Sequence, residues 1–472
     1  MEKRVFSENC ERISRREALK KMALGSAGLV MGASLLSSCK GSAKVAPAEF
    51  TYTPAPDGSK ITSRHWERSG DTIGLLGLGC MRLPQVEGTR NLDQEHVDRM
   101  VDYALAHGVN YFDTAPAYGQ SEVVMGKSLS RYPRESYLLA TKMSNMAFGN
   151  QVPTLEAAQQ MFESSLANLQ TDYFDYFLLH NIDSVSSFEN RFIANGVLDY
   201  LIAQKAAGRI RNLGFSYHGN NNDFAKMLDR EEYDWDFAQI QMNYLDWEDM
   251  PAMWAMPGMP VSKTDAKTLY EMAEERGVPL TIMEPIRGGA LANVSDALRA
   301  KMADRFPDLS PAGVALSFVG SYPNVQCVLS GMSNMEQLTE NIATFTDFEE
   351  FDEADKEFMM EVADLYREND TIPCTACEYC MPCPHGVQIP AIFAVYNECS
   401  SELNLPNPDG EHDKEYKAKR RIFLNRYKKN IEKGGHADAC TECNACQPKC
   451  PQRIPIPRQM KRIEELVAKL NE

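Results

Sequence analysis

The chain has 472 residues, enough for two to four domains, and its 43% hydrophobic and 24% charged residues are the balance of a soluble globular protein. A net charge of −17 with no long basic stripe argues against a nucleic-acid partner. Of thirteen cysteines, Cys10, Cys39, Cys80 and Cys327 are scattered and nine crowd between Cys374 and Cys450, which points to metal or cluster ligation rather than a disulfide scaffold.

Residues 1–38 read as a targeting segment. The run Ser14-Arg15-Arg16-Glu17-Ala18-Leu19-Lys20 resembles the twin-arginine export signal, with Ala18 where a bulky residue is usual. The mildly apolar stretch 22–38 is too short to span a membrane. It ends at Leu36-Ser37-Ser38-Cys39, which resembles a lipoprotein cleavage box and makes Cys39 a candidate lipid attachment point. The expectation is export by the twin-arginine route, to the periplasm or to a lipid anchor at the cell envelope. Residues 39–63, poor in bulky apolar side chains and rich in Ala and Pro, read as a tether.

From residue 64 to 350, short apolar runs alternate with helical patterns. Strands are expected over 75–78, 109–112, 137–140, 174–179, 210–215, 237–241, 280–283 and 325–329. Helices between them include 93–106, 155–169, 197–207, 266–276 and 311–320. Eight such units suggest an α/β fold of the (β/α)8 TIM barrel type. Periodicity alone does not close the barrel. Three strand ends and the loop after one of them carry chemistry. The run Tyr111-Phe112-Asp113 opens into Thr114-Ala115-Pro116-Ala117-Tyr118, one strand ends near Lys142, and another ends on His180. A phenol beside an ammonium, a carboxylate and an imidazole makes a proton donor. The lysine charge is expected to lower the tyrosine pKa, the carboxylate to hold the lysine, and the imidazole to orient a substrate carbonyl.

In that order and spacing, Asp113, Tyr118, Lys142 and His180 resemble the catalytic tetrad of the aldo-keto reductases, over residues 70 to 350. The resemblance supplies barrel closure and implies hydride transfer between a nicotinamide nucleotide and a carbonyl or alcohol. It also implies nucleotide contacts. Gly79, Cys80 and Met81 would lie under the nicotinamide beside Asp113. Ser216 would hold the carboxamide, with Tyr217 where the family usually has asparagine, and Gln239 would sit on the next strand. Met283 stands where a stacking tyrosine is common. Ser330, Gly331, Ser333, Glu340 and Asn341 resemble the pyrophosphate and adenine end. Gln337 replaces an arginine that many relatives use, and no lysine or arginine occurs from 330 to 351. NAD(H) is therefore expected to bind at least as tightly as NADP(H).

Residues 351–369 read as an acidic amphipathic connecting helix. Beyond it, Cys374, Cys377, Cys380 and Cys383-Pro384 form one run, and Cys440, Cys443, Cys446 and Cys450-Pro451 another. The second run has bacterial ferredoxin spacing; the first is one residue short before its last cysteine. Zinc ribbons need two CxxC pairs, not two runs of four that each end in Cys-Pro, which favours iron. The helical sequence between the runs resembles an α-helical ferredoxin-type domain over 370–472, a small all-α module with two 4Fe–4S clusters. In two-cluster ferredoxins the last cysteine of a run serves the other cluster, so crossed ligation is expected. Cys399 fits neither run and reads as a buried thiol. The loop 246–263, rich in methionine, tryptophan and proline, reads as a lid or a packed crossover. Two functions remain open: a carbonyl or alcohol oxidoreductase with clusters for structure or for an electron-transfer partner, and a non-enzymatic redox or docking subunit.

Overall fold

The computed structural model describes residues 56, 58–89, 91–145, 154–230, 233–248, 264–368, 372, 374, 376, 378–402, 404–408, 410, 412–450 and 454–471. The expected export signal and Cys39 lie outside the described residues, as do Cys377 and most of the loop 246–263. No helix among the described residues is long and apolar enough to cross a membrane.

The described chain opens on an antiparallel hairpin, β1 (Ser63–Trp66) and β2 (Asp71–Gly74). Eight parallel strands follow. They are β3 (Leu76–Gly79), β4 (Tyr111–Asp113), β5 (Leu138–Met143), β6 (Phe174–Ile182), β7 (Ile210–Tyr217), β8 (Phe237–Gln241), β9 (Leu280–Met283) and β10 (Val325–Ser330). They pair in sequence order, and β10 returns to β3 with Leu329 opposite Gly77, so the barrel is closed. The strands are nearly all buried because helices cover their outer face and side chains fill the inside. Several of the helices begin where short polar side chains cap them. Asp93, Thr154, Asp265, Ser310 and Asn334 each accept a hydrogen bond from a backbone N–H of the first turn.

The hairpin plugs the amino end of the barrel. Ile73 belongs to the interior cluster with Tyr111, Leu138, Tyr176, Phe237 and Cys327. Tyr176 donates to Asp71 at 2.8 Å, and Arg211 bridges Asp71 and Asp175. The packed fold also begins earlier than the expected end of the tether at residue 63. Ile61 is buried, its N–H donates to the His107 carbonyl, and it bridges Thr346. One apolar side chain with a partner ends the tether, whatever the composition around it.

Helix Glu353–Glu368 joins the barrel core through Met359, Val362 and Ala363, and pairs Glu361 with Lys301 and Asp355 with Arg305. The tail has a core of its own. Helices Ile389–Ser401, Lys414–Asn430 and Ile456–Asn471 enclose Phe393, Tyr396, Phe423, Met460 and Ile463.

Candidate active site

Four loops and strand ends meet at the carboxyl end of the barrel. The Asp113 carboxylate leaves the end of β4. Its Oδ1 accepts from Lys142 Nζ at 2.5 Å and its Oδ2 from Gln239 Nε2 at 3.1 Å, so both oxygens are held. Lys142 is fully buried and donates a second bond, at 2.8 Å, to the Thr114 carbonyl. Gln239 thus reaches the site through Asp113.

Tyr118 sits on a single 3-10 turn, Pro116–Tyr118, started by the proline. Lys142 Nζ lies 5.2 Å from the centre of its ring, and the His180 ring meets it edge-on at 5.8 Å. The expected lowering of the Tyr118 pKa is not found. The surrounding protein desolvates the hydroxyl, Asp113 and Cys80 add to this, and the phenol is held well above its usual range. Lys142, paired with Asp113, does not outweigh that burial. Tyr379, from the tail, and Glu284 are also among the groups that raise it.

His180 is held well below the usual histidine range, first by burial and then by its neighbours Lys142, His218 and Arg191. The imidazole is therefore neutral. Its Nδ1 lies 2.6 Å from Ser144 Oγ. If the hydroxyl donates there, Nε2 carries the hydrogen. Arg191 donates to the carbonyls of His180 at 2.6 Å and Asn181 at 2.8 Å, fixing this strand end. Asn181 has a positive φ of 58°, and its N–H donates to Ser216 Oγ at 2.8 Å. Ser144 and Arg191 escape sequence reasoning because neither belongs to a spaced motif.

The expected nucleotide residues follow the same rim. Cys80 is buried, its thiol pushed up by burial and by Asp113, and Met81 beside it is exposed. A side chain on Gly79 would stand 3.4 Å from the Ser330 backbone. Met283 closes β9 and Gly331 follows β10. Asn341 donates to Ser330 Oγ at 2.9 Å, and Ser333 Oγ donates to the Arg82 carbonyl at 2.8 Å. Glu340 is turned onto Ser310. Gln337 accepts from the Ser333 N–H at 2.7 Å. Arg82 is the residue sequence reading passed over. Its side chain lies against Gly331 and donates to the Gly288 carbonyl at 3.3 Å, placing a guanidinium among three loops of the rim. Buried Ser216, Gln239, Ser330 and Asn341 with this guanidinium suit an amide and a phosphate.

In the tail, Cys383 of the first run lines one pocket with Cys440, Cys443 and Cys446 of the second. Burial pushes the Cys446 thiol up, and its neighbours Cys440, Cys383 and Cys443 add to that. Cys374, Cys380 and Cys450 carry no disulfide. Among the described residues no three His, Cys, Asp or Glu side chains converge as ligands of a single metal ion. Cys399 is buried, with Arg426 beside its sulfur.

Residues 75–364 match the profile of the Aldo/keto reductase family. The chain is 26% identical to L-galactose dehydrogenase of Arabidopsis thaliana over 322 residues, 64% of this chain and 94% of that protein. It is 27% identical to the uncharacterized oxidoreductase YqkF of Bacillus subtilis over 293 residues, 57% of this chain and 86% of that one. Among solved structures it is similar to the aldo-keto reductase AKR11C1 of Bacillus halodurans, with a TM-score of 0.50 and 21% identity over 64% of this chain and 96% of that one.

Proposed function

We propose, from the premise that this chain belongs to the aldo/keto reductase family and is an NAD(P)-dependent oxidoreductase, that Tyr118 is its proton donor in the reduction of a carbonyl to an alcohol. The observation that carries this is the convergence of Asp113, Lys142, Tyr118 and His180 at one end of the barrel. A bound nicotinamide nucleotide supplies the hydride in reduction and accepts it in oxidation. The Tyr118 hydroxyl gives its proton to the carbonyl oxygen in reduction and takes one from the alcohol in oxidation. The neutral His180 ring donates a hydrogen bond to the same oxygen and so orients it. Lys142, held by Asp113, stabilises the phenolate left after proton transfer. Ser216, Ser330, Gly331, Asn341 and Arg82 are the residues proposed to hold the nucleotide.

The tail reading is that two 4Fe–4S clusters bind with crossed ligation. Cys374, Cys377, Cys380 and Cys450 hold one, and Cys440, Cys443, Cys446 and Cys383 the other. The pocket shared by Cys383 and the second run supports the second set. A cluster is larger than one ion, so its thiolates stand further apart than the four ligands of a tetrahedral zinc. Such clusters serve structure or exchange electrons with a partner protein. Export by the twin-arginine route, with attachment through Cys39, completes the proposal and rests on the amino-terminal sequence.

Tyr118→Phe tests the assignment. The variant should bind NADH and NADPH as the parent does and lose roughly 100-fold or more in kcat for aldehyde reduction. Parental turnover in the variant would remove Tyr118 from the mechanism.

A further inference from the structure

We propose that Tyr379, carried by the cysteine-rich tail, forms a wall of the substrate pocket and selects carbonyl compounds with a bulky apolar or aromatic substituent. This rests on the placement of the reaction at Tyr118. The path of the tail carries the argument. Arg367 donates at 2.6 Å to the carbonyl of Leu245, four residues past the end of β8. Cys374 and Ala376 then line a cavity of about 420 Å³ with Gly288 and Gly289, from the loop that follows β9. Both anchor points are loops at the carboxyl ends of strands, the face on which Tyr118 and His180 lie. Arg367, Cys374 and Ala376 therefore lie at the rim of the active site. Tyr379 follows Ala376 by three residues, a reach of roughly 10 Å at most.

Its chemistry fits a wall. Tyr379 is 45% exposed, and among the described residues it is the only aromatic in the set of exposed large apolar side chains. Met81, 37% exposed just past the end of β3, belongs to the same set. Tyr118 also senses the Tyr379 phenol electrostatically, as it does Glu284. Glu284 has a φ of 57°, a left-handed backbone that a glutamate adopts only when its surroundings impose it, and it follows Met283 at the end of β9. A substrate whose carbonyl lies against Tyr118 and His180 would extend its substituent between these groups, and an aromatic face there favours a flat apolar partner.

The test compares parent, Tyr379→Ala and Tyr379→Phe as iron-loaded, full-length proteins, with propanal and 2-naphthaldehyde as substrates. Tyr379→Ala should raise KM for 2-naphthaldehyde about tenfold and leave KM for propanal, and both kcat values, within about twofold. Tyr379→Phe should behave as the parent. An unchanged ratio of the two KM values in Tyr379→Ala overturns the proposal. Binding of 2-naphthalenemethanol to the NADH-loaded protein, followed by fluorescence, gives a readout independent of turnover. Parent that binds this alcohol but reduces no aldehyde refutes the catalytic assignment alone. The same titration on Tyr379→Ala then decides on Tyr379. Parent that neither binds it nor reduces 2-naphthaldehyde overturns the proposal outright. Iron per chain and NADH affinity are checked in each variant. If the alanine protein loses iron, Tyr379→Leu replaces it, with a rise in KM for 2-naphthaldehyde expected for loss of the ring.

Discussion

Burial sets the working range of both Tyr118 and His180, and it moves them in opposite directions. Asp113 and Cys80 add to the shift of the phenol, and Lys142, paired with Asp113, adds to that of the imidazole. Tyr118 is pushed above the ordinary phenol value of 10.0, and His180 below the ordinary imidazole value of 6.5. The proposed reduction needs the phenol protonated and the imidazole neutral. A raised phenol pKa extends the first condition to higher pH; a lowered imidazole pKa extends the second to lower pH. The value of kcat/KM for reduction should therefore be flat between pH 6.5 and 10.0, limited by neither group. A limb within that window that disappears in a His180 or Tyr118 variant would contradict the environments described. The convergence of Asp113, Tyr118, Lys142 and His180 was legible in sequence because they follow strand ends in order. The direction of the tyrosine shift was not, because it depends on how much protein surrounds one hydroxyl. Arg82 and Ser144 were hidden for a related reason, since their relevance comes only from the loops that fold beside them.

Elements were read more easily than residues. All eight barrel strands were expected, within about three residues at each end, because strands buried on both faces stand out as apolar runs. Helices 155–169 and 311–320 were bounded by a threonine cap and a proline in the first turn. The β1–β2 hairpin was missed. Its four-residue strands are too short for a period, and it is held by Asp71 and Ile73 reaching distant strands. The close approach of helix Ser121–Leu129 to the end of helix Leu155–Leu169 is likewise invisible in sequence, although Gly126 makes it possible. A side-chain carbon at Gly126 would stand 2.1 Å from the Asn168 carbonyl oxygen and 2.8 Å from the Leu169 Cα. Backbone cannot yield as a flexible side chain does. Gly126→Ala should therefore destabilise the barrel by about 1–3 kcal/mol despite its better helix propensity, with the loss read from urea unfolding. A stability equal to or above the parent would show that the two helices are not held at this distance.

At the scale of the whole molecule, the described chain carries three hydrophobic clusters, two in the barrel and one in the tail. The tail core is small, and small domains commonly need a metal or cluster to be stable. Its two cysteine runs are separated by more than fifty residues in sequence, as the positions of Cys383 and Cys440 show. Cys383 nevertheless lines one pocket with Cys440, Cys443 and Cys446. A cluster there would tie the start of the tail to its end, closing a loop that contains helices Ile389–Ser401 and Lys414–Asn430. Because the barrel has its own core, damage to that tie should stay in the tail. Cys383→Ser should accordingly retain about four of about eight iron atoms per chain. Its EPR spectrum should lose the signal that Cys446→Ser also removes, while NADH affinity stays at the parental level. Cys450→Ser should remove the other signal. If Cys383→Ser and Cys380→Ser instead abolish the same signal, each run holds its own cluster, and the pocket shared by Cys383 with the second run has another purpose.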